Sequence, residues 1–159
     1  MWIAYEALQG RGGHEAGLAL LERLYERHTG QSLPAIARTR RGKPYFVDSP
    51  LHFSISHTKK HVFCALSETP IGIDAEELDR LVNPKLVEKI LSSGELRQYE
   101  EAEDKNKALL TFWVLKEAAA KLSGEGLQGY PNHTDFRLDD PQVTQRDGCL
   151  LAVMTEEKE

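Results

Sequence analysis

With 159 residues, 40% of them hydrophobic, the chain can bury one sizeable core or two small halves packed on each other, and it is too short for two large independent domains. A formal charge of −5 denies it the broad cationic surface that nucleic acids and anionic membranes demand. No stretch approaches transmembrane length, and Met1 to Glu6 contains an acid and lacks a basic start, so it predicts a first strand rather than a secretory leader.

In chain order, Met1 to Leu8 predicts a strand. The segment from His14 to His28, with Leu18, Leu21, Leu24 and Tyr25 at helical spacing, predicts an amphipathic helix capped at Thr29-Gly30. Arg41-Gly42-Lys43-Pro44 is a turn, because proline fixes its own φ and biases the residue before it away from helix. Phe46, Leu51, Phe53 and Ile55 supply short extended pieces, and a polar turn at His57 to Lys60 leads into a strand from His61 to Leu66, predicting a hairpin. Pro70 opens the strand Ile71-Gly72-Ile73-Asp74, whose alternation sends Asp74 and Glu76 to one side and Ile73 and Ala75 into a core. Pro84 begins a helical stretch predicted to run to about Tyr99, an acidic connector follows, and a second helix covers Asn106 to Ser123. The remainder predicts strands at Asp135 to Leu138 and Cys149 to Thr155, joined by a turn at Asp139 to Pro141, with a frayed tail over 156–159. Strands and helices without regular βαβ alternation predict an α+β fold. Cys64 and Cys149 lie in apolar runs and read as reduced core thiols of a cytoplasmic protein.

The charge is unevenly spread. Arg38, Arg40, Arg41 and Lys43 fall within six residues, and Lys59 and Lys60 follow the His57 turn. Such a corner suits phosphates or an acidic protein, or is a solvated loop. Asp74, Glu76 and Glu117 have the number and type of oxygens that a magnesium ion takes. Each also has a plainer reading: Asp-x-Glu as a solvated strand edge, and Glu117 with Lys121 as a surface pair four apart on the helix face that carries Trp113. His57 after Ser56 is a phosphate donor or a turn cap, Lys43 a phosphate anchor or a solvated turn residue, and Trp113 a site wall or a core aromatic. Gly124 and Gly126 terminate a helix, and neither a Walker-type lysine loop nor Cys/His zinc spacing occurs.

Taken in order, Gly42-Lys43-Pro44, Phe53-Ser54-Ile55-Ser56-His57, Gly72-Ile73-Asp74-Ala75-Glu76 and Trp113-Val114-Leu115-Lys116-Glu117-Ala118-Ala119-Ala120-Lys121 with Gly124 and Gly126 resemble the successive motifs of the 4′-phosphopantetheinyl transferase superfamily, in its Sfp-like branch. The resemblance implies a pseudo-dimer of two similar α+β halves, 1–69 and 70–159, forming one compact monomeric domain with the site at their junction. It further implies transfer of the 4′-phosphopantetheine arm of coenzyme A to a serine of an apo acyl or peptidyl carrier protein, with release of adenosine 3′,5′-bisphosphate. Carried over residue by residue, Asp74, Glu76 and Glu117 become ligands of magnesium, with manganese an acceptable substitute. Lys121 would neutralise the pyrophosphate, Lys116 would support the site, and Lys43, Ser56 and His57 would hold the coenzyme's phosphates and adenosine end. Glu117, directly or through a water on the metal, is the expected general base toward the carrier serine.

This chain departs from the pattern in one respect. Larger Sfp-like enzymes carry a basic stretch between first strand and first helix that grips the 3′-phosphate, and only about five residues separate Leu8 from His14 here. His14, Arg38, Arg40 and Arg41 are the candidates to compensate. A metal-dependent phosphodiester hydrolase, or a degenerate carrier-binding module, are the competing readings.

Overall fold

The computed structural model describes residues 1–127 and 134–156; of the tail expected to fray, 157–159 lie outside the described residues. Near its start, strand β1 (Trp2–Ala7) precedes helix α1 (Gly13–Thr29), the short pair β2 (Ile36–Arg38) and β3 (Pro44–Phe46), and the hairpin β4 (His52–His57) to β5 (His61–Ser67). The sheet order is β1-β5-β4, all antiparallel. The hairpin's polar turn closes on Thr58, whose N–H donates to His61 O at 2.8 Å while its hydroxyl accepts from His61 N at 3.0 Å. Helix α1 buries Leu20, Leu21 and Leu24 against Phe53, Val62 and Leu66, and it ends where predicted, at Gly30 in the left-handed region with φ +70°.

The rest of the chain builds a second three-stranded sheet, with β6 (Ile71–Glu77), β7 (Val143–Arg146) and β8 (Cys149–Thr155) in the order β6-β8-β7. Helix α4 (Lys105–Ser123) lies across it. Asp104 caps α4 by accepting from Lys107 N at 3.0 Å, and Gly124, φ +76°, stops it. As alternation predicts, Ile73 and Ala75 enter an apolar cluster with Phe63, Ala65 and Leu151.

Two expectations fail for identifiable reasons. The helical stretch from Pro84 breaks into a 3-10 turn (Pro84–Leu86), α2 (Val87–Ile90) and α3 (Ser93–Glu101), because Leu91 is extended and Ser92 starts a new helix through a reciprocal capping box with Glu95. Residues Asp135 to Leu138 form no strand, since side chains of α3 take the place of a partner strand: Glu95 Oε2 accepts from Phe136 N at 2.8 Å and Gln98 Oε1 from Leu138 N at 3.0 Å. The hairpin partner of β8 is β7, joined to it through Asp147-Gly148, both at positive φ. Asp-Gly between extended runs is a hairpin signal.

The two sheets meet along β4 and β6, and side chains rather than a backbone ladder join them. Ser54 Oγ accepts from Ile73 N and Ser56 Oγ from Ala75 N, each at 3.0 Å, and both serines are buried. On the face of β6 that carries Asp74, Gly72 admits α4, since a Cβ there would collide with the backbone of Ala118 and Leu122. Gly72→Ala is therefore expected to cost about 1–3 kcal/mol in urea unfolding, as overpacking against immovable backbone does; an unchanged midpoint contradicts the contact.

Candidate active site

A cleft of about 590 Å³ opens between the start of α1, the β2–β3 corner, β4 and the last turns of α4. Its walls include His14, Arg38, Arg41, Lys43, His57, Glu117 and Lys121. Of the basic corner, Arg38, Arg41 and Lys43 line it, and Arg38 braces its own turn by donating to Gly42 O at 2.8 Å.

Asp74 is central to the arrangement. It is 7% exposed, and its Oδ1 accepts from Ser56 Oγ at 3.2 Å and from Lys121 Nζ at 3.3 Å. Its buried Oδ2 has no hydrogen-bond partner among the described residues. Burial, opposed by Lys121 and reinforced by Glu117 and Glu76, pushes the carboxyl up to about 7. Half-buried Glu117 is also raised, by burial first, with Lys121 pulling down and Glu76 pushing up. Asp74, Glu76 and Glu117 do not close to within 4.8 Å of one another, and Glu76 pairs with Arg80. Among the described residues, the cations set against these three carboxylates, two with raised pKa values and one with an orphaned buried oxygen, are Lys121 and Arg80. That donor set, all oxygen and short of positive charge, fits a hard divalent cation.

The other predicted residues divide. Lys121, its side chain 34% exposed, reaches from α4 to Ile55 O at 3.2 Å as well as to Asp74. Lys43 lines the cleft, but its Nζ donates to Leu122 O at 2.6 Å, so the ammonium caps the carbonyl end of α4 and burial lowers its pKa. His57 is exposed, its ring lying against Gly13 at the start of α1, where a Cβ would strike it. Ser56 is not in the cleft wall; it is buried in the seam between sheets. Lys116 also lies elsewhere. One residue from Glu117 along α4, it turns to the opposite side, pairs with buried Glu95 at 2.7 Å and donates to Thr134 O at 2.9 Å. Trp113 packs with Val87, Ile90 and Phe112 as a core aromatic.

Comparison with known proteins places this geometry. The sequence profile of the 4′-phosphopantetheinyl transferase superfamily matches residues 70–152, just over half of the chain. The chain belongs to the 4′-phosphopantetheinyl transferase superfamily. It is 34% identical over 104 residues to 4′-phosphopantetheinyl transferase gsp of Aneurinibacillus migulanus, a match covering 64% of this chain and 42% of that protein. It is 36% identical over 90 residues to 4′-phosphopantetheinyl transferase Sfp of Bacillus subtilis, covering 54% and 39%. A holo-[acyl-carrier-protein] synthase of Listeria innocua is 36% identical over 75 residues, covering 43% and 64%. These similarities support the Sfp-like branch, and the chain spans less than half the length of the gsp and Sfp transferases. Within this phosphopantetheinyl transferase superfamily member, the matched span contains Asp74, Glu76, Glu117 and Lys121, whereas Lys43 and His57 precede it.

Two measurements follow. Because folding raises the Asp74 pKa from 3.8 to about 7, the folded state takes up a proton and the stability this confers is present below about pH 4 and lost as pH rises through about 7. In metal-free buffer the melting temperature should fall over that window, Asp74→Asn should flatten the fall, and magnesium should restore stability above it. Lys116→Met strands the Glu95 carboxylate and is expected to cost about 3–5 kcal/mol by chemical denaturation, as removing one partner of a buried pair does.

Proposed function

We propose that this protein transfers the 4′-phosphopantetheine arm of coenzyme A to a serine of an apo acyl or peptidyl carrier protein, releasing adenosine 3′,5′-bisphosphate, as a cytoplasmic monomer. The observation that carries this reading is the buried Asp74 carboxylate, one oxygen unpartnered among the described residues, beside Glu117 and Lys121, which line a cleft with a basic rim. Acidic oxygens within and cations at the rim suit a metal-assisted reaction of a pyrophosphate better than simple anion capture.

The reaction joins the carrier serine Oγ to the phosphorus that bears the pantetheine arm and breaks the bond from that phosphorus to the bridging oxygen, so the adenosine bisphosphate leaves. Asp74, Glu76 and Glu117 would hold magnesium or manganese, which neutralises pyrophosphate charge when bound. Glu117 accepts the serine proton, directly or through one water; its raised pKa makes it a stronger base than an exposed carboxylate. Lys121 stabilises charge on the leaving phosphate. Lys43 and His57 border the adenosine end. Ser56 holds Asp74 in place, and Lys116, locked to Glu95, fixes the roll of α4 from behind. In this reading the halves 1–69 and 70–159 supply the cation rim and the acids respectively, with α4 closing the cleft.

Incubation with magnesium, coenzyme A and a panel of apo carriers, followed by intact mass, tests the proposal. The phosphopantetheine adduct should appear on carrier, and Glu117→Gln should lower its rate by at least about 100-fold with an unchanged melting temperature. Undiminished adduct formation by that variant rejects the base. Phosphodiester cleavage without adduct identifies a hydrolase, and carrier binding without either reaction identifies a degenerate binding module.

A further inference from the structure

A second constellation lies outside the cleft, at the far end of the seam. His61 begins β5, Glu77 ends β6 and Cys149 begins β8, directly opposite Glu77 in the strand register. Their ligating atoms all lie within 4.8 Å of one another, the one such trio among the described residues. His61 Nδ1 is 2.9 Å from Glu77 Oε1 and 3.5 Å from Cys149 Sγ, and Thr58 Oγ1 donates to Glu77 Oε1 at 2.6 Å. Cys149 is fully buried, and the His61 and Glu77 side chains are 16% and 11% exposed.

We propose that His61, Glu77 and Cys149 form a binding site for a zinc-class cation, separate from the acidic cleft. A sulfur, an imidazole nitrogen and a carboxylate are the ligand types that borderline-soft zinc selects and that magnesium does not. In a tetrahedral zinc site, metal–ligand bonds of about 2.0–2.3 Å put nitrogen and sulfur about 3.5 Å apart and nitrogen and oxygen about 3.4 Å apart. The spacing here needs a shift of about half an ångström for the oxygen and essentially none for the sulfur. Three protein ligands leave a fourth position for water, and Glu77 of the trio lines a groove with Thr58, Lys60 and Asp79. The neighbouring cations Lys60 and Arg80 are offset by Asp79 and Glu76. Without the ion, hydrogen bonds hold the trio together; on binding, the Cys149 thiol proton leaves to solvent and the imidazole carries its proton on Nε2. Because β5 lies in one sheet and β6 and β8 in the other, the ion would staple the two sheets. The ligands are separated by 16 and 72 residues in the chain, which is why no local zinc spacing appears.

The test is cobalt titration of the metal-stripped full chain, followed by absorption. The result expected is one equivalent bound with tetrahedral d–d bands and a thiolate-to-cobalt charge-transfer band, displaced by zinc and not by magnesium. Cys149→Ala and His61→Gln should abolish the charge-transfer band, with Cys149→Ala lowering zinc affinity at least about 100-fold. Asp74→Asn and Cys64→Ala should leave it intact, and the latter excludes the second thiol. Zinc should raise the melting temperature of the unaltered chain, a readout that needs no variant to fold. Absence of a charge-transfer band in the unaltered protein, or its persistence in Cys149→Ala, overturns the proposal. Neither outcome depends on the transferase activity.

Discussion

The site exists because one residue lacks a side chain. Gly72 lets the backbone of α4 descend onto β6 until Ala118 and Leu122 nearly touch the strand, and this approach sets Glu117 and Lys121 beside Asp74. A Cβ at Gly72 would push α4 off the strand, and with α4 at its present depth Lys121 Nζ reaches both Asp74 Oδ1 and Ile55 O. The apolar stripe of α4 supplies the adhesion, with Leu110, Val114, Leu115 and Ala118 packed against Leu150 and Ala152, but hydrophobic burial is non-directional. The glycine selects the depth, and the Lys116–Glu95 pair on the other side selects the roll.

The seam between the sheets follows a different rule. Two buried hydroxyls accept the N–H groups that a strand ladder would otherwise satisfy, so β4 and β6 lie together without hydrogen-bonding backbone to backbone. Ser56 thereby performs two tasks, accepting from Ala75 N and donating to Asp74 Oδ1. A carboxylate held in this way is positioned yet incompletely neutralised. That combination leaves the cluster wanting positive charge.

Much of this was legible in the sequence. Alternation along Ile71 to Glu76 placed Asp74 and Glu76 opposite Ile73 and Ala75, and helical spacing placed Glu117 with Lys121, because both periodicities are local geometry. Motif order identified the family. What the sequence hid was tertiary choice. Adjacent lysines and glutamates in a helix look equivalent on paper, yet the 100° between Lys116 and Glu117 sends one to Glu95 and the other to the cleft. The long-range partners of Ser56 and Lys43, Ala75 N and Leu122 O, are backbone groups that carry no sequence mark. The apolar pattern of Asp135 to Leu138 was real, but Glu95 and Gln98 answered its N–H groups before a strand could. The Ser92 capping box and the Asp147-Gly148 turn both carry local sequence signals.

Lys43 carries a consequence for whatever enters the cleft. Its ammonium closes the carbonyl end of α4, and that same helix bears Glu117 and Lys121. An anionic guest that recruits the ammonium must release the Leu122 carbonyl, so part of its binding energy is spent loosening the helix terminus about one and a half turns from Glu117. Occupancy at the rim and order at the end of α4 are thus linked through a single side chain, and by reciprocity a firmer α4 terminus weakens the grip on the guest.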